Sequence, residues 1–288
     1  MKRLHRRFIS CAGLGLFLCA AALRADENPF GYSYTTDVLP KGKWELEQWV
    51  TGRVGKESGS FAGTDFRTEI ETGLTDRLQA ALYLNYNYFY IRNAKGSSES
   101  LHNRNRFGVS GTSVEFKYQV LSPYKDAFGL AFYLEPGYGT IESANGGRHQ
   151  EIELEGKIIL EKHWREDTVI GVFNYTLEPE WAKGAGDSGF NVALKMEWSG
   201  GVSYRIAPRW FAGVETHVQT QFAGADLDKA QFVVVYAGPA VHYASERWWA
   251  TLSVQPQLWG WPDQQGTGGL HLDDHERLEV RLKLGFNF

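Results

Sequence analysis

The chain has 288 residues, with 30 Lys and Arg against 34 Asp and Glu, 43% hydrophobic and 14% aromatic residues and only 9 prolines. So much apolar surface excludes a disordered chain, whose burial could not offset the entropy of ordering. Collagen-like and coiled-coil compositions are absent as well.

Residues 1–25 read as a signal peptide. Lys2, Arg3, Arg6 and Arg7 precede an apolar run from Phe8 to Leu23 that ends in small residues, with Ala25 before Asp26 the best cleavage point. The run, about 16 residues, is short for a spanning helix. Its removal takes five basic and no acidic residues, leaving 25 against 34, and that acidic balance argues against a nucleic-acid partner. Both cysteines, Cys11 and Cys19, leave with it. An exported chain that needs no disulfide fits the outer-membrane class. Residues 26–43 are then expected as a periplasmic N-terminal segment and residues 44–288 as the folded domain.

No later stretch has the roughly 18–20 apolar residues of a transmembrane helix. Period-two alternation replaces it. From Trp44 to Val54 the even positions Trp44, Leu46, Val50 and Val54 are apolar, while the odd ones include Glu45, Glu47, Thr51 and Arg53. Such a segment is a strand with one oily and one polar face. The pattern recurs at Asp65–Leu74 and Leu78–Tyr90. Further strands are predicted near Phe107–Val120, Ala127–Tyr138, Glu151–Glu161, Thr168–Leu177, Asn191–Tyr204, Arg209–Phe222, Ala230–Tyr243, Arg247–Leu258 and Glu276–Phe288. The total is about twelve, and an even count lets both termini lie on the periplasmic side.

Connections alternate in kind. Those around Gly55–Gly63, Asn93–Asn105, Gly139–His149, Glu178–Gly189, Ala223–Lys229 and Gly260–His275 are long and polar. Tight links fall between them, at Thr75–Arg77, Ser122–Asp126, His163–Asp167, Ile206–Pro208 and Ser245–Arg247. Aromatics gather at strand ends, as at membrane interfaces: Trp44, Trp164, Trp210, Trp248 and Trp249 at one side, and Tyr86, Tyr88, Tyr90, Tyr138, Tyr175, Trp259 and Trp261 at the other. Together these patterns predict an all-β fold, a transmembrane antiparallel up-and-down barrel in the bacterial outer membrane, in contact with lipid and lipopolysaccharide.

At the end of the chain Leu278, Val280, Leu282, Leu284, Phe286 and Phe288 alternate with Glu279, Arg281, Lys283, Gly285 and Asn287. This resembles the C-terminal strand of outer-membrane barrels, which implies that the barrel-assembly machinery reads Phe286 and Phe288. The stretches Glu27–Tyr32 (Glu-Asn-Pro-Phe-Gly-Tyr), Leu39–Glu45 (Leu-Pro-Lys-Gly-Lys-Trp-Glu) and Arg67–Gln79 resemble a family of proteobacterial outer-membrane barrels described only as a domain of unknown function. That resemblance covers about 60 residues. It implies a fold and a location and no activity.

If the oily phase meets lipid, the inward phase carries Glu45, Glu47, Asp65, Glu69, Glu71, Glu115, Glu151, Glu153, Glu155, Glu197, Glu215 and Glu279. Arg53, Arg67, Lys117, Lys157, Lys195, Arg281, Lys283 and His217 share it. A net acidic lumen favours cations over anions. A lumen of about twelve strands lies between side-chain-filled and open barrels. Arg67 among Asp65, Glu69 and Glu71, and Lys157 beside the Glu151, Glu153, Glu155 column, could equally neutralise it and close it. The leading expectation is therefore a narrow channel or transport-related barrel for small solutes. The alternatives are a structural or surface-interaction barrel with no through-path and a lipid-modifying enzyme.

The enzyme reading is thin, because His217 finds no serine in register, His242 finds no acid, and no Gly-x-Ser-x-Gly motif occurs. No cofactor is expected. The loop residues His271, Asp273, Asp274 and His275 are weak candidates for a loosely bound Ca²⁺ or Mg²⁺ at the outer face.

Overall fold

The computed structural model describes residues 28–96, 100–184, 186–224, 226–262 and 268–288. The proposed signal peptide lies outside them. Twelve strands follow in chain order: β1 (Trp44–Val54), β2 (Ser58–Gly73), β3 (Leu78–Lys95), β4 (Arg104–Leu121), β5 (Gly129–Ile141), β6 (Arg148–Trp164), β7 (Val169–Gly184), β8 (Asn191–Ala207), β9 (Trp210–Ala223), β10 (Ala230–Ala244), β11 (Trp248–Trp261) and β12 (Leu278–Asn287). Each pairs antiparallel with its sequence neighbours, and β1 pairs with β12, which closes an up-and-down barrel. Trp44 and Phe288 exchange backbone hydrogen bonds of 3.0 and 3.2 Å at the seam. A closed ladder leaves no row of unpaired N–H and C=O groups, and this is what lets strands cross hydrocarbon.

The period of two becomes inside and outside. Along β1 the buried Glu45, Glu47, Trp49, Thr51 and Arg53 alternate with outward Trp44, Leu46 and Val54. Outward residues such as Leu82, Phe116, Phe132, Val202, Val214 and Leu252 form an exposed apolar belt, the lipid-facing surface of a transmembrane barrel. Trp44, Trp164, Trp210 and Trp248 flank the belt at the end with short turns, and Tyr90, Tyr138, Trp259 and Trp261 at the other. Trp249 departs from the expectation. It is fully buried in the lumen, because consecutive strand residues face opposite ways and Trp248 already faces lipid.

The connections are less polarised than their composition suggests. Residues 55–57 alone join β1 to β2, and the Gly- and Ser-rich stretch after them is strand. Pairing continues there because β2, β3, β4, β6, β7 and β8 run 16–18 residues, beyond the ~9–11 that cross a bilayer. Above the membrane a ladder can carry polar side chains at no penalty, so its ends look like loops in sequence. β1 and β12, with 11 and 10 residues, leave the wall low beside them. Residues 270–276 of the connection before β12 fold inward over that low side, with Leu272 fully buried.

The largest difference from expectation precedes β1. The segment expected in the periplasm instead enters the barrel, and residues 28–39 cross the lumen near the short-turn end as a strap. Asn28 bonds toward β11, Tyr34 toward β7, Thr36 toward β6 and Leu39 toward β3. The physical reason is an interior rich in buried carboxylates and amides that need donors, which the backbone of the strap supplies.

Placing a charge on the belt tests this orientation. Leu252→Arg should lower the stability of the barrel refolded in lipid vesicles by about 2–4 kcal/mol, read as a lower denaturation midpoint. An unchanged midpoint would mean that this face does not meet hydrocarbon.

Candidate functional site

The lumen is a stack of charged layers. At the short-turn end, β1–β4 and β12 bring together Glu45, Glu47, Glu69, Glu71 and Glu115 with Lys117 and Lys283. Donors are built in around them. The Trp249 indole N–H donates to Glu45 and the Trp49 N–H to Glu47, each at 2.5 Å. The Gln79 amide donates to Glu71 and the Tyr83 hydroxyl to Glu115, while Lys283 lies 3.7 Å from Glu47. The space left among these groups is a cavity of about 20 Å³, room for about one water.

Further along the axis, ion pairs join side chains of the same strand and of strands farther round the wall. Arg67 on β2 pairs with Glu135 on β5, and its guanidinium lies 3.6 Å from the Tyr83 ring centroid and 5.1 Å from that of Trp49. Lys157 pairs with Glu155 at 2.7 Å. On the β6–β8 side Glu151, Glu153 and Glu180 converge, with Lys195 bound to Glu180 and His149 3.2 Å from Glu151. Three trios, Glu45/Glu47/Glu71, Glu69/Glu71/Glu115 and Glu151/Glu153/Glu180, have oxygens close enough to share a hard divalent ion. The lysines and indoles around them already supply positive charge and donors.

The strap is pinned to this wall mainly through ionised or amide side chains. Glu215 accepts the N–H groups of Gly31, Tyr32 and Ser33 at 2.8, 2.9 and 3.3 Å. Glu161 accepts both the N–H and the hydroxyl of Thr36 at 2.7 Å. Asn174 bonds both backbone groups of Tyr34, at 2.6 and 3.0 Å, and Gln79 accepts the Leu39 N–H at 2.7 Å. Arg281 donates to the Gly31 carbonyl at 3.2 Å. Apolar contacts add to these bonds at Phe30, against Ile170, Val172 and Phe211, and at Tyr34, against Ala131, Tyr133 and Ile159. Gly31 is required by space, since a Cβ there would stand 2.6 Å from the Ser253 Cβ. The fit has defects. Both ring nitrogens of the fully buried His217 and the buried Ser33 hydroxyl lack hydrogen-bond partners among the described residues, each costing about 1–3 kcal/mol.

The other mouth is covered by residues 270–276. The Lys56 ammonium donates to the carbonyls of Asp273 and His275 at 2.8 and 2.9 Å and pairs with Glu276 at 3.1 Å. Arg53 joins Asp65 and Glu276 at 2.6 and 3.0 Å. The Gln257 carbonyl oxygen accepts the His271 N–H at 2.7 Å, and the His275 ring meets Gln219 at 3.2 Å and the face of Phe232 edge-on.

Residues 22–288 match a family described as a family of unknown function (DUF6662). The chain belongs to that family. The COG4313 outer membrane channel from Pseudomonas putida F1 superposes with a TM-score of 0.58 at 12% identity, covering 88% of this chain and 98% of that one. The β domain of the Bordetella autotransporter BrkA gives 0.47 at 12% identity over 85% and 99%. The KdgM porin gives 0.44 at 10% over 85% and 99%. The first likeness establishes the fold, and no weight rests on the other two. Comparison with curated proteins gives no match.

In this DUF6662 barrel Glu45, Glu47, Arg53, Glu69, Glu71, Glu115, Lys117, Lys157, Glu215, His217, Glu279 and Lys283 are buried, and Glu197 accepts from the Gln219 amide at 2.8 Å. Some partners differ. Arg67 reaches past Asp65, Glu69 and Glu71 to Glu135, three strands round the wall, because the curved sheet turns both side chains into the same interior. Ser199 lies opposite His217 in the β8–β9 register, where no serine was expected, yet its hydroxyl turns to Asn174 at 3.5 Å and away from the ring. His242 bonds Thr251 at 2.7 Å. The acidic trios lie in the barrel wall, whereas His271, Asp273, Asp274 and His275 form no such convergent set among the described residues. Glu135, Glu161, Glu178, Glu180, Trp49 and Tyr83 were missed. Glu135 and Glu161 continue the inward phase of Tyr133 and Lys157, so alternation alone could have found them. Glu178 and Glu180 were read as loop.

Burial holds the His275 imidazole well below its usual value, opposed by Asp274 and reinforced by His271 and Lys56. A hydrogen bond from His271 holds the Asp274 carboxyl low. A base whose docked value is depressed favours the undocked state once that state takes up a proton. Docking of residues 270–276 should therefore weaken as pH falls below about 6.5, by up to about 1.4 kcal/mol per unit. Amide exchange over this loop, corrected for intrinsic rates, should rise between pH 7.5 and 5.5, and His275→Gln should flatten the dependence. Equal protection at both pH values would refute it.

Proposed function

We propose that this protein is a narrow outer-membrane conduit for small solutes, cation-preferring, and closed in this state by its own N-terminal strap. It would reach the membrane by signal-peptide export and barrel assembly, with the short-turn end periplasmic and Phe286 and Phe288 as assembly signals. The observation that carries the reading is how the strap is held. Most of its anchors are hydrogen bonds to Glu215, Glu161, Asn174 and Gln79, which water can replace when the segment leaves. A core sealed by continuous apolar packing would have no such exchange. The lumen exposed behind it would be net acidic, with Glu135, Glu161, Glu178 and Glu180 adding to the acids expected from sequence, so its field favours cations. Likeness to an outer membrane channel supports the same reading at the level of fold.

The ≈ 20 Å³ of free space at the short-turn end favours a second reading, a barrel with no through-path that serves as a structural or surface-interaction element. Planar-bilayer recording separates the two. The full chain should be mostly silent, and deletion of residues 28–39 should give steady ohmic conductance with cation preference. Glu151→Gln, Glu153→Gln and Glu155→Gln together should reduce that preference severalfold. Silence of the deleted form, once its heat-dependent gel mobility shows a folded barrel, would leave the second reading standing.

A further inference from the structure

Tyr32 of the strap fills a slot whose parts come from three strands. Its ring lies between the Arg281 guanidinium, 3.9 Å from the ring centroid, and the His217 imidazole, 4.5 Å away and 20° from parallel. Tyr236 stacks behind His217 at 4.8 Å and 16°. Guanidinium, phenol, imidazole and phenol thus form one column through the lumen. Beside the column the Glu215 carboxylate gathers three N–H donors from Gly31, Tyr32 and Ser33. A carboxylate that takes up N–H donors in this way is also a partner for an ammonium.

The wall of this slot is positioned by contacts independent of the strap. Arg281 donates to the Thr51 hydroxyl at 2.9 Å. The Tyr236 hydroxyl donates to the Glu276 carbonyl at 2.8 Å and accepts from Gln257 at 3.1 Å. The strap satisfies the slot only in part, because both His217 nitrogens and the Ser33 hydroxyl are buried without partners. Filling alone would be served better by an aliphatic side chain, as at the fully buried Val234. A flat face bounded by a guanidinium and an imidazole, with a carboxylate at its edge, is complementary to an aromatic ring that carries a protonated amine.

We propose that the Arg281–His217–Glu215 slot recognises small aromatic amines, and that Tyr32 with its flanking N–H groups is an internal competitor which such a solute displaces. The inference rests on the strap being the gate and names the solute class that opens it. The ring takes the place of Tyr32 between Arg281 and His217, and the ammonium takes the place of the backbone donors on Glu215. Displacement of the strap then clears the lumen at the short-turn end.

Tyramine is the probe, with propylamine as the amine lacking a ring and p-cresol as the ring lacking an amine. In bilayers holding the unaltered chain, tyramine should raise the frequency of openings saturably, at least tenfold above either control at equal concentration. His217→Ala and Arg281→Gln should abolish the difference. A binding measurement guards against variants that assemble poorly: Tyr32→Ala vacates the ring half of the slot, and tyramine should quench tryptophan fluorescence, to which Trp49 with its ring centroid 5.5 Å from the Arg281 guanidinium contributes, at least tenfold more tightly than in the unaltered chain. Tyramine that neither opens the chain nor binds Tyr32→Ala better than propylamine overturns the proposal. Conductance of the form lacking residues 28–39, recorded without any amine, tests the gate alone. If it conducts while tyramine fails both tests, the slot is refuted and the conduit stands. If it is silent while Tyr32→Ala binds tyramine selectively, the conduit is refuted and the slot remains a recognition site.

Discussion

Hydrocarbon offers no partner to a peptide N–H or C=O, and each one left bare there costs several kcal/mol. Every other feature of this molecule follows from meeting that demand by closing β1 onto β12. Once the cylinder closes, a strand has only two places for its side chains, lipid and axis. The oily ones go out, and Glu, Lys and Arg are driven together in a narrow interior where water is scarce.

That interior has to be neutralised locally, and three devices do so. Within one wall, indole, phenol and amide donors from Trp249, Trp49, Tyr83 and Gln79 sit on individual carboxylates. Farther round the wall, Arg67 joins Glu135, tying β2 to β5 over the strands between them. Where neither suffices, the strap brings its own N–H groups to Glu215 and Glu161. The third device differs from the others in coming from a segment outside the ladder. A hydrogen bond to a charged group contributes only about 1.5–3 kcal/mol net, because water makes a comparable one. The strap is therefore ordered by the wall without being part of the ladder.

Period-two alternation made the barrel legible in the sequence, since Glu45 and Leu46 cannot exchange faces without a register slip that would turn every charge toward lipid. The same rule made most of the lumen lining legible. What it could not give were relations between strands distant in sequence. Arg67 meets Glu135 only because the cylinder curves, and curvature is a property of the closed sheet. Strand ends above the membrane are illegible for another reason: Ser58–Gly63 and Glu178–Glu180 have loop composition because no lipid selects their outward residues, yet they are paired. The strap was misplaced because Asn28–Leu39 has neither period. Its position depends on acceptors supplied by β3, β6, β7 and β9, none of them near it in sequence.

Topology also fixes how the two closures can move. The strap is continuous with β1, and the chain between them is held by the bond from the Gly42 N–H to the Gly73 carbonyl at 2.8 Å and a Lys41–Gly73 bridge at the short-turn rim. Gly42, at φ +77° with no neighbouring atom where a Cβ would stand, is free to act as the pivot. Residues 270–276 are tethered at both ends, to β11 and β12, and can only lift away from the opposite mouth. Strap and cover both bear on one column: Tyr32 stacks on His217, His217 on Tyr236, and the Tyr236 hydroxyl donates to the Glu276 carbonyl of the outer cover. Three rings and one hydrogen bond thus join a strap residue to the outer cover.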